Sequence, residues 1–145
     1  MTRLAALVSG IAFLASAILP VATAQAADYL GVYAGQDTIC GHQSVRGAIR
    51  RGFRHQVTHV PRLPNVDIVD FYGARLTRYE PATYNSPIER RYCQATARLS
   101  DGEDRSIWYL IEYGQGFAGI GDNVEFCVAG FDRWNVYNAH CRVLR

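Results

Sequence analysis

The sequence predicts an α+β domain: an N-terminal helix, a three-stranded antiparallel meander, a short helix and a final strand, held by two disulfides. Three observations carry this expectation. Apolar residues recur first at helical spacing and then alternate along several consecutive segments, so helix and strands are segregated rather than interleaved. The chain opens with Arg3, an apolar run from Leu4 to Leu19 and the small-residue site Ala24-Gln25-Ala26, the pattern of a secretory signal peptide cleaved after Ala26. The cysteines Cys40, Cys93, Cys127 and Cys141 all lie beyond that site, an even number in an exported chain. Residues 1–26 are therefore read as the signal and 27–145 as a single α+β domain.

Each element has its own pattern. Residues 28–42 mix turn formers with Tyr29, Val32 and Tyr33 and read as an irregular lead-in. Val45, Ile49, Phe53, Val57 and Val60 then recur near helical spacing, with Ser44 as N-cap and Pro61 as stop. Gly47 and Gly52 weaken that helix by about 1 kcal/mol each relative to Ala. Residues 66–79, 88–100 and 105–113 are strand-like. Cys93, Ala95, Ala97 and Leu99 alternate with Tyr92, Gln94, Thr96 and Arg98, and Ser100-Asp101-Gly102-Glu103 supplies a hairpin turn. Ile107 to Ile111 is apolar on both faces and belongs at the centre of the sheet. In 121–132, Val124, Cys127, Val128 and Phe131 fall at i, i+3, i+4, i+7, with Asp122 and Glu125 at capping-box spacing and Gly130 as stop, which predicts a two-turn helix. Residues 134–144 read as the last strand, bringing Trp108 and Trp134 into one core cluster with Tyr109, Tyr113 and Tyr137.

Sequence alone leaves three cysteine pairings open. Closure of a short loop favours Cys127–Cys141, leaving Cys40–Cys93 to tie the N-terminal part to the sheet. No C-x-x-C occurs, so a thioredoxin-like motif, a zinc knuckle and covalent haem are not expected.

Charge and composition narrow the function classes. All fifteen basic residues are Arg, against thirteen acids, and the domain is close to neutral without Arg3. No nucleic-acid partner is expected from that balance. The absence of Lys removes Schiff-base chemistry. Gly114-x-Gly116-x-x-Gly119 has the spacing of a dinucleotide fingerprint, which needs a long following helix and an acid at the end of a second parallel strand. The expected helix is too short, Asp132 precedes the last strand, and Asp122 with Glu125 would make the helix start acidic. No nucleotide or other cofactor is therefore expected.

Three surface features carry possible chemistry. Arg46, Arg50 and Arg54, with Arg51 beside them, form a row on the first helix that no acid of that helix neutralises, suited to phosphates or carboxylates. His55 and His59 stand at the i, i+4 spacing of a metal pair, without the Glu of H-E-x-x-H because residue 56 is Gln. Glu112 ends the central strand and His140 lies on the last, a potential acid–base pair, while no G-x-S-x-G or other nucleophile context is present. The expectation is a small exported protein of the bacterial periplasm or exterior that acts by binding a partner protein or an anionic envelope component through the Arg face. The alternatives are a hydrolase-like enzyme using Glu112 and His140, or a metal-binding protein using His55 and His59.

Overall fold

A computed structural model describes residues 39–145, so the signal segment and the lead-in up to residue 38 lie outside the described residues. Helix α1 (Gln43–His59) precedes four strands, β1 (Ile68–Glu80), β2 (Arg90–Leu99), β3 (Asp104–Glu112) and β4 (Asn123–Val128). The strands form one antiparallel sheet in the order β1-β2-β3-β4, a simple meander. Helix and sheet make the α+β arrangement, with α1 on the inner face.

The helix forms where the four-residue spacing places it. Val45, Ile49, Phe53 and Val57 are all buried on one stripe. Against them β2 presents Cys93, Ala95, Ala97 and Leu99, and β3 presents Ile107, Tyr109 and Ile111. The small alanines of β2 leave room for the helix, and Phe53 meets Phe131 edge-on at 4.9 Å. The N-cap is His42, whose Nδ1 accepts from the Ser44 backbone N–H, so the cap falls two residues before the expected Ser44. Gly52 has a packing reason: a Cβ there would lie 2.6 Å from the Phe126 ring of β4. Its absence lets the helix settle onto the edge of the sheet.

The β2–β3 hairpin follows the sequence pattern. Leu99 donates to Glu103 O at 2.8 Å, and Gly102 takes φ +90° in the turn. Arg98 and Asp104 face each other across the first rung.

Residues 121–132 do not form the expected helix, because 123–128 are β4. The segment fits both periods, and the tertiary context decides between them. Strand β3 has an open edge of backbone donors and acceptors, which β4 pairs from Ile107↔Val128 to Glu112↔Asn123. An extended chain also turns Val124, Phe126 and Val128 inward to the helix while Cys127 points outward to Cys141. Asp122 accordingly caps no helix; its Oδ1 accepts from Gly114 N–H at 3.1 Å within the β3–β4 loop.

The expected last strand is also replaced. Residues 129–145 run as successive turns, first beside the end of α1, where Phe131 joins the inner core, and then over the outer face, with Asn135 N–H on Asp132 O and Asn138 N–H on Asn135 O. Asn138, Ala139, His140 and Cys141 all have φ between +50° and +60°, a left-handed run that a strand cannot contain. The chain ends in a 3-10 turn, Arg142–Leu144. Leu144 and Cys141 cover Tyr92, Leu110 and Cys127 in a second, outer apolar cluster.

Both disulfides are present, Cys40–Cys93 and Cys127–Cys141. The first fastens the start of α1 to β2, and the second fastens the C-terminal turns to β4. Two disulfides fit an oxidising compartment outside the cytoplasm. Among the described residues no helix is long and apolar enough to cross a membrane.

Candidate functional site

Tertiary packing sorts the Arg row into tied and available members. Arg54 pairs with Asp67 at 3.3 Å and donates to Asn65 Oδ1 at 2.8 Å, so the segment before β1 neutralises it. Arg50 donates from one nitrogen to Val69 O at 2.9 Å and lies 5.4 Å over the Phe71 ring, which anchors its stem to β1. Arg46 and Arg51 have no carboxylate partner among the described residues, and the Arg46 Nε is buried without a hydrogen bond there.

These side chains border a cleft of about 840 Å³ at the N-terminal end of α1. Its walls are Gly41, His42, Gln43 and Ser44 from the helix start and Arg46, Gly47, Arg50 and Arg51 from the next two turns. Among the described residues no carboxylate lines it, and the first turn of α1 contains no acid. The unpaired N–H groups and positive dipole end of the helix thus add to the guanidinium charge. Such an arrangement can hold phosphate, sulfate or carboxylate oxygens by charge-assisted hydrogen bonds.

The other expected pairs stand differently. His55 and His59 are adjacent, with ring centroids 4.0 Å apart and stacked, and His59 Nδ1 lies 2.8 Å from His55 O. Among the described residues they join no group of three or more metal-ligating side chains. Glu112 sits half-buried at the end of β3, its Oε1 accepting from Arg90 at 2.8 Å and its Oε2 from Asn123 at 3.1 Å. His140 lies beside Cys141, whose partner Cys127 stands opposite Trp108, four residues along β3 from Glu112. Cys127 is thus offset by about 13 Å of strand from the Glu112 rung, and the Glu112 carboxylate is engaged by Arg90 and Asn123.

The glycine-rich stretch connects two antiparallel strands. Gly116 N–H bonds Gly121 O at 2.9 Å, and a Cβ at Gly116 would lie 2.1 Å from Ile120 O, so the loop closes on itself there. No helix follows it; the strand β4 does. The physical reason against a phosphate cradle is therefore loop topology, not an acid-capped helix start.

The aromatic cluster expected around Trp134 is divided. Tyr109 is buried on the inner face and donates to Cys40 O at 2.7 Å, and burial pushes its phenol pKa well up. Trp108 faces outward beneath Arg145, 4.4 Å from its ring. Trp134 is 64% exposed. It borders a cleft of about 390 Å³ at the other end of α1, with His55, His59, Asp132 and Tyr137. Sequence reading missed this second cleft because it placed residues 134–144 in the sheet. The turn-forming pair Asn135 and Asn138, flanking exposed apolar residues, was the signal available.

The fold and the first cleft together define a disulfide-stapled α+β domain with a hollow at one helix end that Arg side chains, and no acid of the described residues, line. The chain matches no protein-family model, no curated protein and no solved structure.

Proposed function

We propose that this is an exported binding protein of the periplasm or cell exterior, and that the cleft at the start of α1 holds an anionic group of an envelope component. The observation that carries the reading is the wall composition: Arg46, Arg50 and Arg51 converge with His42 and Ser44 on one hollow that no carboxylate of the described residues lines. The two disulfides support an oxidising location, and the leader sequence supports export. The engagement of both Glu112 oxygens, by Arg90 and Asn123, supports binding over acid–base catalysis.

Retention on a heparin column and on immobilised lipid A tests the reading. The protein is retained, and elution moves to lower salt when Arg46→Gln and Arg51→Gln are combined. Affinity falls roughly a hundredfold, as expected for two lost charge-assisted hydrogen bonds of about 1.5 kcal/mol each. Arg54→Gln, whose charge is already met by Asp67, leaves retention unchanged. Equal loss with Arg54→Gln, or none with the double variant, sinks the proposal.

A further inference from the structure

The opposite end of α1 carries a site of different chemistry. We propose that the cleft formed by His55, His59, Asp132, Trp134 and Tyr137 binds a small organic cation, a protonated or quaternary amine. Four observations converge on that class of ligand.

The first is aromatic surface held ready. Trp134 and Val136 are 64% and 68% exposed, yet their segment is tied down. Asn135 N–H bonds Asp132 O, Tyr137 N–H bonds Asp132 Oδ2 at 3.2 Å, and Cys141 fixes the following turn to Cys127. An indole presented on a tied turn beside a stacked imidazole pair offers ring faces with little ordering left to do. Ring faces attract cations through their quadrupole.

The second is the sign of the local charge. Asp132 lines the cleft, and no Arg side chain of the described residues does, although Arg133 is next in sequence and exposed. The Tyr137 phenol pKa is raised, first by burial and then by the charges of Glu125 and Asp132, so a negative potential reaches this wall. The third is the helix itself. His55, Gln56, His59 and Val60 bring the C-terminal end of α1 to the cleft, where the negative dipole end favours a cation. The fourth is size. About 390 Å³ suits a small organic molecule rather than a bare ion, and no three-ligand metal group occurs among the described residues.

Choline and its neutral isostere 3,3-dimethylbutan-1-ol separate charge from shape. Each is titrated into the full mature chain while the two indole N–H signals are followed by NMR, assigned with Trp134→Phe. Choline shifts the Trp134 signal and leaves Trp108 unmoved. It binds more tightly than the alcohol by between about twofold and thirtyfold, the range of a cation–ring contact. Asp132→Asn keeps an oxygen to accept from Tyr137 N–H but removes the charge; it weakens choline by about two- to fivefold and leaves the alcohol unaffected. Trp134→Leu weakens both. Equal affinity for the two ligands overturns the proposal and leaves only an apolar cleft. So does a response confined to Trp108, or no response to either ligand. A Trp134 response to N-acetylglucosamine stronger than that to choline also overturns it, in favour of a saccharide. The heparin and lipid A experiments address the far end of α1 and are independent of these results.

Discussion

Two glycines on one helix should respond oppositely to the same substitution. In a helix interior Gly→Ala gains about 1 kcal/mol, because Ala loses less backbone freedom on folding. At Gly47 the nearest atom to a new Cβ among the described residues is the Arg51 guanidinium at 3.4 Å, ordinary contact with the end of a flexible chain. Gly47→Ala should therefore stabilise by nearly the full amount and raise Tm by several degrees. At Gly52 the new Cβ meets the Phe126 ring of β4 at 2.6 Å and 3.2 Å, a ring that is partly buried against the core. Overpacking of that kind costs about 1–3 kcal/mol. Set against the helix gain, Gly52→Ala should be net destabilising by up to about 2 kcal/mol. Urea unfolding of both single variants, of Phe126→Leu and of the Gly52→Ala/Phe126→Leu pair measures the terms separately. The pair should recover at least about 1 kcal/mol of coupling, since the narrower side chain yields space to the methyl group. If Gly52→Ala stabilises as Gly47→Ala does, α1 does not rest on Phe126, and the seating of the helix on β4 is wrong.

Other perturbations probe the rest of the frame. Replacing Cys127 and Cys141 by Ala opens a loop of separation 14 and should cost about 3 kcal/mol; the Cys40–Cys93 pair, at separation 53, should cost about 4, both read by calorimetry, and losses under about 1 would mean the bridges constrain little. Tyr109→Phe leaves the Cys40 carbonyl without its buried donor and should cost about 1–3 kcal/mol in urea unfolding. The raised Tyr109 pKa sets an alkaline limit: its contribution is intact below the unfolded phenol value of about 10 and is lost above it, at about 1.4 kcal/mol per pH unit, until the folded phenol itself ionises. With no Lys to titrate in that range, stability against pH from 9 to 12 should show this slope in the native chain and a shallower one in the Phe variant. Ala139→Gly should relieve about 1–2 kcal/mol of left-handed strain, offset by about 0.4–1 of added freedom in the unfolded chain, so its melting curve should be unchanged or move upward.

The limits of sequence reading fall where one stretch of chain satisfies two periods, or where a partner comes from elsewhere. Val45, Ile49, Phe53 and Val57 fit only a helix, and the alternation Cys93 to Leu99 fits only a strand, so both were legible. Val124, Cys127, Val128 and Phe131 fit a helix, while Val124, Phe126 and Val128 fit a strand, and the open edge of β3 decided. The left-handed run at 138–141 left little trace beyond Asn138, because Ala, His and Cys seldom adopt it without a constraint. The Arg row was legible as a row. Which of its members stays available depends on Asp67, Asn65 and Val69, brought alongside only by the turn into β1.

Helix α1 links the two proposed sites through its own polarity. Its start is pinned by Cys40–Cys93 and lined with Arg; its end is held by Gln56, which donates to Phe131 O at 2.9 Å, and meets an acid and aromatic rings. In each cleft the side-chain charge has the same sign as the adjoining helix end, positive at the start and negative at the end. Side chains chosen only for helix stability would run the other way, with acids in the first turn and bases in the last. Arg46 near the start and Asp132 beside the end both oppose the pattern that stabilises a helix, while His59 in the last turn follows it. A bound anion at one end and a bound cation at the other would supply the missing countercharges. Phosphate and choline added separately should each raise Tm, and each increment should disappear with the variants of its own cleft alone. An increment that survives those variants would place the ligand elsewhere on the surface.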